Sequence, residues 1–126
     1  MDIEIEQANT LLDKAYNISH EHCNYSLMLS TTMEKGIVYW QNGYIYDALD
    51  SFDSCIEISR IAEFNNLNNL KYIQLLNNIS VCNIEIGNYA EAINLLNKIK
   101  SETEKIHGKD NDIYLQIIAN IAMYNA

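Results

Sequence analysis

Two glycines 44 residues apart open the same pattern, and a pattern returning at such a period narrows the choice of fold. Gly87-Asn88-Tyr89-Ala90-Glu91-Ala92 is echoed by Gly43-Tyr44-Ile45-Tyr46-Asp47-Ala48. In both, an apolar or aromatic residue follows the glycine by two positions and an alanine by five. A large apolar residue stands four beyond the alanine (Phe52 or Leu96), and a core-type residue three further on (Cys55 or Ile99). The N-terminal stretch carries the same tail in Ile5, Ala8, Leu12 and Ala15, so Ala8, Ala48 and Ala92 are equivalent. A second echo pairs Asn77-Asn78-Ile79-Ser80 with Ala119-Asn120-Ile121-Ala122, at a spacing of 42. Periods of this length belong to stacked architectures, in which each unit leaves an apolar face that its neighbour covers.

Within the repeat the apolar residues recur every three or four positions, the spacing of a helical face. Six helices are expected, over residues 2–20, 25–41, 44–63, 68–86, 88–106 and from 111 to the end. The fifth, for example, places Tyr89, Ala92, Ile93, Leu96, Ile99 and Ile106 on one side. Asn88 followed by Glu91 suggests a capping box, Gly108 a helix C-terminal glycine and Asp110 the next N-cap. The asparagine-rich run 65–69 is the expected inter-repeat loop. Antiparallel helices about 8–10 Å apart need small side chains where their axes approach. Ala8, Ala48 and Ala92 provide these on one helix of each pair, and Gly36, Ser80 and Ala122 on the facing one. Leu96 sits at the centre of the clearest repeat, where a change to alanine is expected to be costly.

Composition agrees with an all-α chain. There is no proline and there are four glycines in 126 residues, too few for a sandwich or barrel with many tight turns. The formal net charge of −9 argues against sequence-independent binding to nucleic acid or to an anionic membrane, which both need basic surface. No apolar run approaches the roughly 18 residues of a membrane span, and Met1-Asp2-Ile3-Glu4 lacks a basic leader region. Three widely spaced cysteines, Cys23, Cys55 and Cys82, suggest reduced thiols in a cytoplasm. Isoleucine and asparagine supply 36 residues, and their AT-rich codons point to a bacterium of low GC content.

The repeat resembles the tetratricopeptide repeat in its longer form. The resemblance rests on Gly87-x-Tyr89-x-x-Ala92-x-x-x-Leu96-x-x-Ile99, on Asn77-Asn78-Ile79-Ser80, and on the inter-repeat segment Lys105-Ile106-His107-Gly108-Lys109-Asp110. The last two are similar to repeats of kinesin light chain and of bacterial quorum-peptide receptors. The resemblance implies a single domain: the second helix of a partial repeat (1–24), a degenerate repeat (25–66), a clear repeat (67–108) and the first helix of an incomplete repeat (109–126). It also implies an all-α, right-handed superhelix of antiparallel helices. The first helix of each repeat would line a concave groove that holds an extended peptide or a partner helix.

By that resemblance the groove is lined by Met33, Glu34, Ile37, Trp40 and Gln41, then by Gln74, Asn77, Asn78, Val81, Ile84 and Glu85, then by Gln116, Asn120 and Met123. An amide can donate and accept at once, so it can pair with a peptide backbone of any sequence. Asn78 and Asn120 match the backbone-gripping asparagines of related peptide-binding repeats, while the abundance of asparagine here is the plainer explanation. Trp40 is either an aromatic anchor or packing. Glu34 and Glu85, with the acidic balance, call for a neutral or basic ligand whose affinity falls as salt rises.

Other constellations carry less. His20-x-His22-Cys23 has metal-ligand chemistry but no fourth ligand nearby, and i and i+2 on a helix do not face each other. Asp47, Asp50 and Asp53 read as a solvated face, because calcium sites need six to eight oxygens wrapped by a loop. Cys55 and Cys82 lie among apolar positions, as small core residues do. No catalytic motif is present, so no enzymatic activity, metal or cofactor is expected.

The leading expectation is therefore a peptide- or protein-binding scaffold. The alternative is a sensory or regulatory input domain of a bacterial signalling enzyme, such as a histidine kinase or diguanylate cyclase. The chain begins in a second-type helix and ends in a first-type helix, which suggests a piece of something longer. Its final helix carries Ile113, Ile117, Ile118, Ile121, Ala122 and Met123 with no following helix to cover them. A two-fold homodimer through that helix is expected, with the Ile3 and Ile5 end a second candidate. Ile117→Glu with Ile121→Glu should then yield a folded monomer by sedimentation equilibrium.

Overall fold

The computed structural model describes residues 2–124. Among the described residues there are six helices and no strand: α1 (Ile3–Glu21), α2 (Tyr25–Gln41), α3 (Ile45–Ile61), α4 (Leu70–Glu85), α5 (Tyr89–His107) and α6 (Asp112–Tyr124). Their bounds fall within two residues of the expected ones, and the expected continuation of the last helix over 125–126 lies outside the described residues. No helix among the described residues is long and apolar enough to cross a membrane. The chain divides into two compact units, Met1–Glu63 and Phe64–Ala126.

The turns explain the glycine echo. Three connections, α1–α2, α2–α3 and α4–α5, are three residues long. In each the middle residue has a left-handed backbone: Cys23 (φ 51), Gly43 (φ 85) and Gly87 (φ 99). The Gly43 N–H donates to the Trp40 carbonyl at 3.1 Å, and the next N–H, of Tyr44, to Tyr39 at 2.9 Å. Gly87 and Asn88 repeat this with Ile84 and Asn83, and Cys23 and Asn24 with His20 and Ser19. This pair of bonds closes the last carbonyls of a helix and turns the chain back at once. Glycine adopts that backbone without penalty, whereas Cys23 does so against its own Cβ.

Helix starts are held by short polar side chains. Asp2, Asn24, Asn69 and Asn111 each accept from a backbone N–H two or three residues on, at 2.7–3.1 Å. Two expectations need correction here. Asn111, not Asp110, caps α6, because its Oδ1 reaches the Tyr114 N–H at 2.8 Å. Asn88 and Glu91 form no capping box; the Asn88 side chain turns back and donates to Asn83 Oδ1 at 3.1 Å instead.

In the first unit α2 packs against both α1 and α3. Ala48 is wholly buried, and Gly36 lies under the Phe52 ring; a Cβ at Gly36 would stand 2.5 Å from Phe52 Cε1. Cys55 points its thiol at the Leu29 carbonyl, 3.9 Å away. Ala8 is only half-buried, and its neighbour Asn9 is the buried residue.

In the second unit α4, α5 and α6 pack on one another around Ile73, Ile84, Ala92, Leu96, Ile99 and Ile117. The Tyr114 hydroxyl donates to Glu104 Oε2 at 3.3 Å, and His107 Nε2 donates to the Leu67 carbonyl at 3.0 Å, tying α5 to α6 and to the loop before α4. Helix α4 buries Leu75, Val81 and Cys82 as well as Ile73 and Ile84, so it is apolar on more than one side.

Three residues expected in contact lie outside: Tyr89, Ile106 and Ala122 are exposed. The final helix needs a larger correction. Ile117 is 0% exposed, and Ile113 and Ile121 pack against the same core. The intended dimer-breaking changes at Ile117 and Ile121 would thus put charge into the core and unfold the second unit.

Two substitutions test these contacts. Gly36→Ala should lose about 1–3 kcal/mol by overpacking against Phe52, although alanine is the better helix former. Leu96→Ala should lose about 2–5 kcal/mol through a cavity. Urea denaturation reads both, and an unchanged midpoint for Gly36→Ala would mean that α2 and α3 approach less closely.

Candidate functional site

The residues singled out from the sequence fall into both units. Glu34 and Trp40 lie on α2 of the first unit, where Glu34 is exposed and Trp40 is 37% exposed. Met33, on the same helix, is buried in the core and does not line a groove.

The second unit brings its amides together. Gln74, Asn77 and Asn78 share one side of α4 by helical spacing, and Gln116 and Asn120 share one side of α6. Asn120 Nδ2 donates to Asn77 Oδ1 at 3.1 Å, bridging the two helices. Asn77 is 3% exposed, and its side-chain oxygen is bonded to Asn120. Asn78, Gln74 and Asn120 are half-buried, and Gln116 and Glu85 are exposed. Ile84, expected on this face, belongs to the core cluster. The result is a short amide-rich face, with Asn120 oriented by a buried partner.

The first unit holds a feature that sequence reasoning missed. Helices α1 and α3 both rest on α2, and between them lies an open cleft of about 710 Å³. One wall carries Leu12, Asp13 and Tyr16 of α1, the other Asp47, Asp50 and Glu57 of α3. Lys35 rises from the floor and is bound to Asp13 at 2.8 Å. Residues 1–63 hold 11 of the chain's 17 carboxylates but only three of its eight Lys and Arg, a net charge of −8, against −1 for residues 64–126. The crowding registers chemically. Asp53 is held above the usual carboxylate range, by partial burial first and by Asp50 second. Glu57 is held below it by its bond to Arg60. The acidic residues are visible in the sequence, but the gap between α1 and α3 belongs to no single helix.

The His20–Cys23 cluster is spread over the end of α1: His20 is helical, His22 is the cap and Cys23 is the left-handed residue. Among the described residues no group of three or more His, Cys, Asp or Glu is placed to hold a metal ion. No match to this chain is found among protein-family models, curated proteins or solved structures.

The three thiols differ sharply. Cys23 is exposed; Cys55 and Cys82 are buried. Burial pushes both up to about 12, with the Glu85 charge adding to it for Cys82. The folded protein therefore keeps them neutral, while the unfolded chain ionises them near the ordinary 9.0. Their contribution to stability is full below pH 9.0 and is lost as pH rises toward 12. A thiol-disulfide reagent at neutral pH should label Cys23 alone in the native protein and all three in denaturant. Fast native labelling of Cys55 or Cys82 would show that the core opens readily.

Proposed function

We propose that this chain is a protein-binding module of the tetratricopeptide type, which holds a neutral or basic partner segment against the amide face of α4 and α6. The observation that carries the reading is the Asn120–Asn77 bond at 3.1 Å. It joins two helices that the repeat makes equivalent, with the intervening helix α5 packed on both. That is the relation of successive first helices in such repeats. Asn78, Gln74 and Gln116 flank the bond, and each can donate and accept toward a peptide backbone.

The module also self-associates through α6 in this reading, by a face other than the one first expected. Leu115 (51% exposed), Ala119, Ala122 and Met123 (67% exposed) form an apolar strip outside the core. Leu115→Glu with Met123→Glu keeps the core and should shift sedimentation equilibrium to monomer.

A peptide selected from a displayed random library on the native chain tests the binding reading. Asn78→Ala should weaken it by about 0.5–1.5 kcal/mol for each hydrogen bond lost. Asn120→Ala should weaken it to a similar extent and also lower the stability of the second unit, because it leaves the buried Asn77 amide without its partner. Calorimetric titrations in which both variants bind as tightly as the parent would remove this face from the function.

A further inference from the structure

We infer that the cleft between α1 and α3 is a second docking surface, and that its occupant is a basic amphipathic helix from a partner protein. It is separate from the amide face of α4 and α6, since every residue lining it belongs to the first unit.

Shape and length come first. On α3 the lining runs from Asp47 to Ile61, about 21 Å at 1.5 Å per residue, which is close to four helical turns. Helix α2 forms the floor throughout.

The two threonines of the floor make no hydrogen-bonding demand on an occupant. Thr31 Oγ1 donates to the carbonyls of Leu27 and Met28, both at 3.0 Å, and Thr32 Oγ1 to that of Met28 at 2.8 Å. On the α3 wall Ser54 Oγ donates to Asp50 at 3.1 Å. These hydroxyls are used by their own helices, and Met28 adds apolar surface beside the threonines. An extended segment would bring carbonyl acceptors as well as N–H donors, and the carboxylates of the α3 wall can serve only the donors. A helix arrives with its backbone already bonded and needs only an apolar stripe.

Charge fixes the rest of the occupant. The α3 wall carries Asp47, Asp50 and Glu57 on one helical edge, whereas the α1 wall offers Leu12 and Tyr16 beside His20 and Asp13, the latter held by Lys35. Among the described residues neither Asp47 nor Asp50 has a cationic partner, and Lys35, the one Lys or Arg lining the cleft, is held by Asp13. The fitting helix has an apolar stripe with Lys or Arg along one edge. Acidic helices are rejected by like charge.

Fluorescence anisotropy with a defined probe tests this. The probe is a labelled peptide of about four turns, made of Leu, Ala, Gln and Lys, with leucines at three- and four-residue spacing and lysines along one edge. It should bind the full chain, more weakly as salt rises. Asp47→Lys with Asp50→Lys should weaken it by about tenfold or more. Asp47→Asn with Asp50→Asn should act in the same direction should the reversal disturb α3. Asn78→Ala with Gln116→Ala should leave it unchanged, which separates this cleft from the amide face. The inference is overturned if the probe does not bind, or if a version with Glu for Lys or with a central proline binds as well. It is also overturned if the Asp47 and Asp50 variants bind normally. Sensitivity to Asn78 and Gln116 instead would move the binding to α4 and α6.

Discussion

Helices of 13 to 19 residues are marginal on their own, so each one here depends on a neighbour to cover its apolar face. Coverage requires the chain to reverse within a few residues of a helix end, and the left-handed residue in each short turn makes that possible. At Gly43 and Gly87 the reversal is free of steric penalty; at Cys23 the same geometry is imposed on a residue with a side chain. Once two helices are folded back, their separation is set by what lies between them. Phe52 can reach its wholly buried position only because Gly36 leaves room for its ring.

This dependence explains what could be read from the sequence. Glycine turns and three- or four-residue apolar spacing are local signals, and they located all six helices closely. Signals shared between elements were weaker. Asn88 and Glu91 have the spacing of a capping box, yet Asn83, at the end of the preceding helix, offers Asn88 a nearer acceptor. On α6 the isoleucines at 113, 117 and 121 were expected to face outward because no helix follows them. They turn inward because α4 and α5 already present a complementary surface.

The candidate sites divide in the same way. The repeat spacing made Asn78 and Asn120 equivalent positions. That Asn77, one residue earlier, is buried and bonds Asn120 was not legible, since burial depends on how α4 and α6 pack. The cleft was illegible for a related reason. Asp47, Asp50 and Asp53 taken singly are solvated carboxylates, and a helix wheel of α3 puts them on an unremarkable polar face. The meaning of Asp47 and Asp50 changes when α1 stands across from them with α2 between.

The distribution of charge has an energetic consequence of its own. Self-repulsion opposes compaction, and the first unit carries nearly all of the chain's net charge on half of its length. The repulsion is felt at Asp53, where the Asp50 charge adds to partial burial in favouring the neutral acid. Of the unit's three Lys and Arg, Lys35 is bound to Asp13, Arg60 is bound to Glu57 one turn away on the same helix, and Lys14 stands on α1 outside the cleft lining. Surface pairs of that kind contribute little. The α3 wall therefore keeps a field that its own unit does not neutralise. A cationic partner that laid its charges along that edge would relieve the repulsion as it bound. Affinity and the stability of the first unit would then rise together, through the same carboxylates.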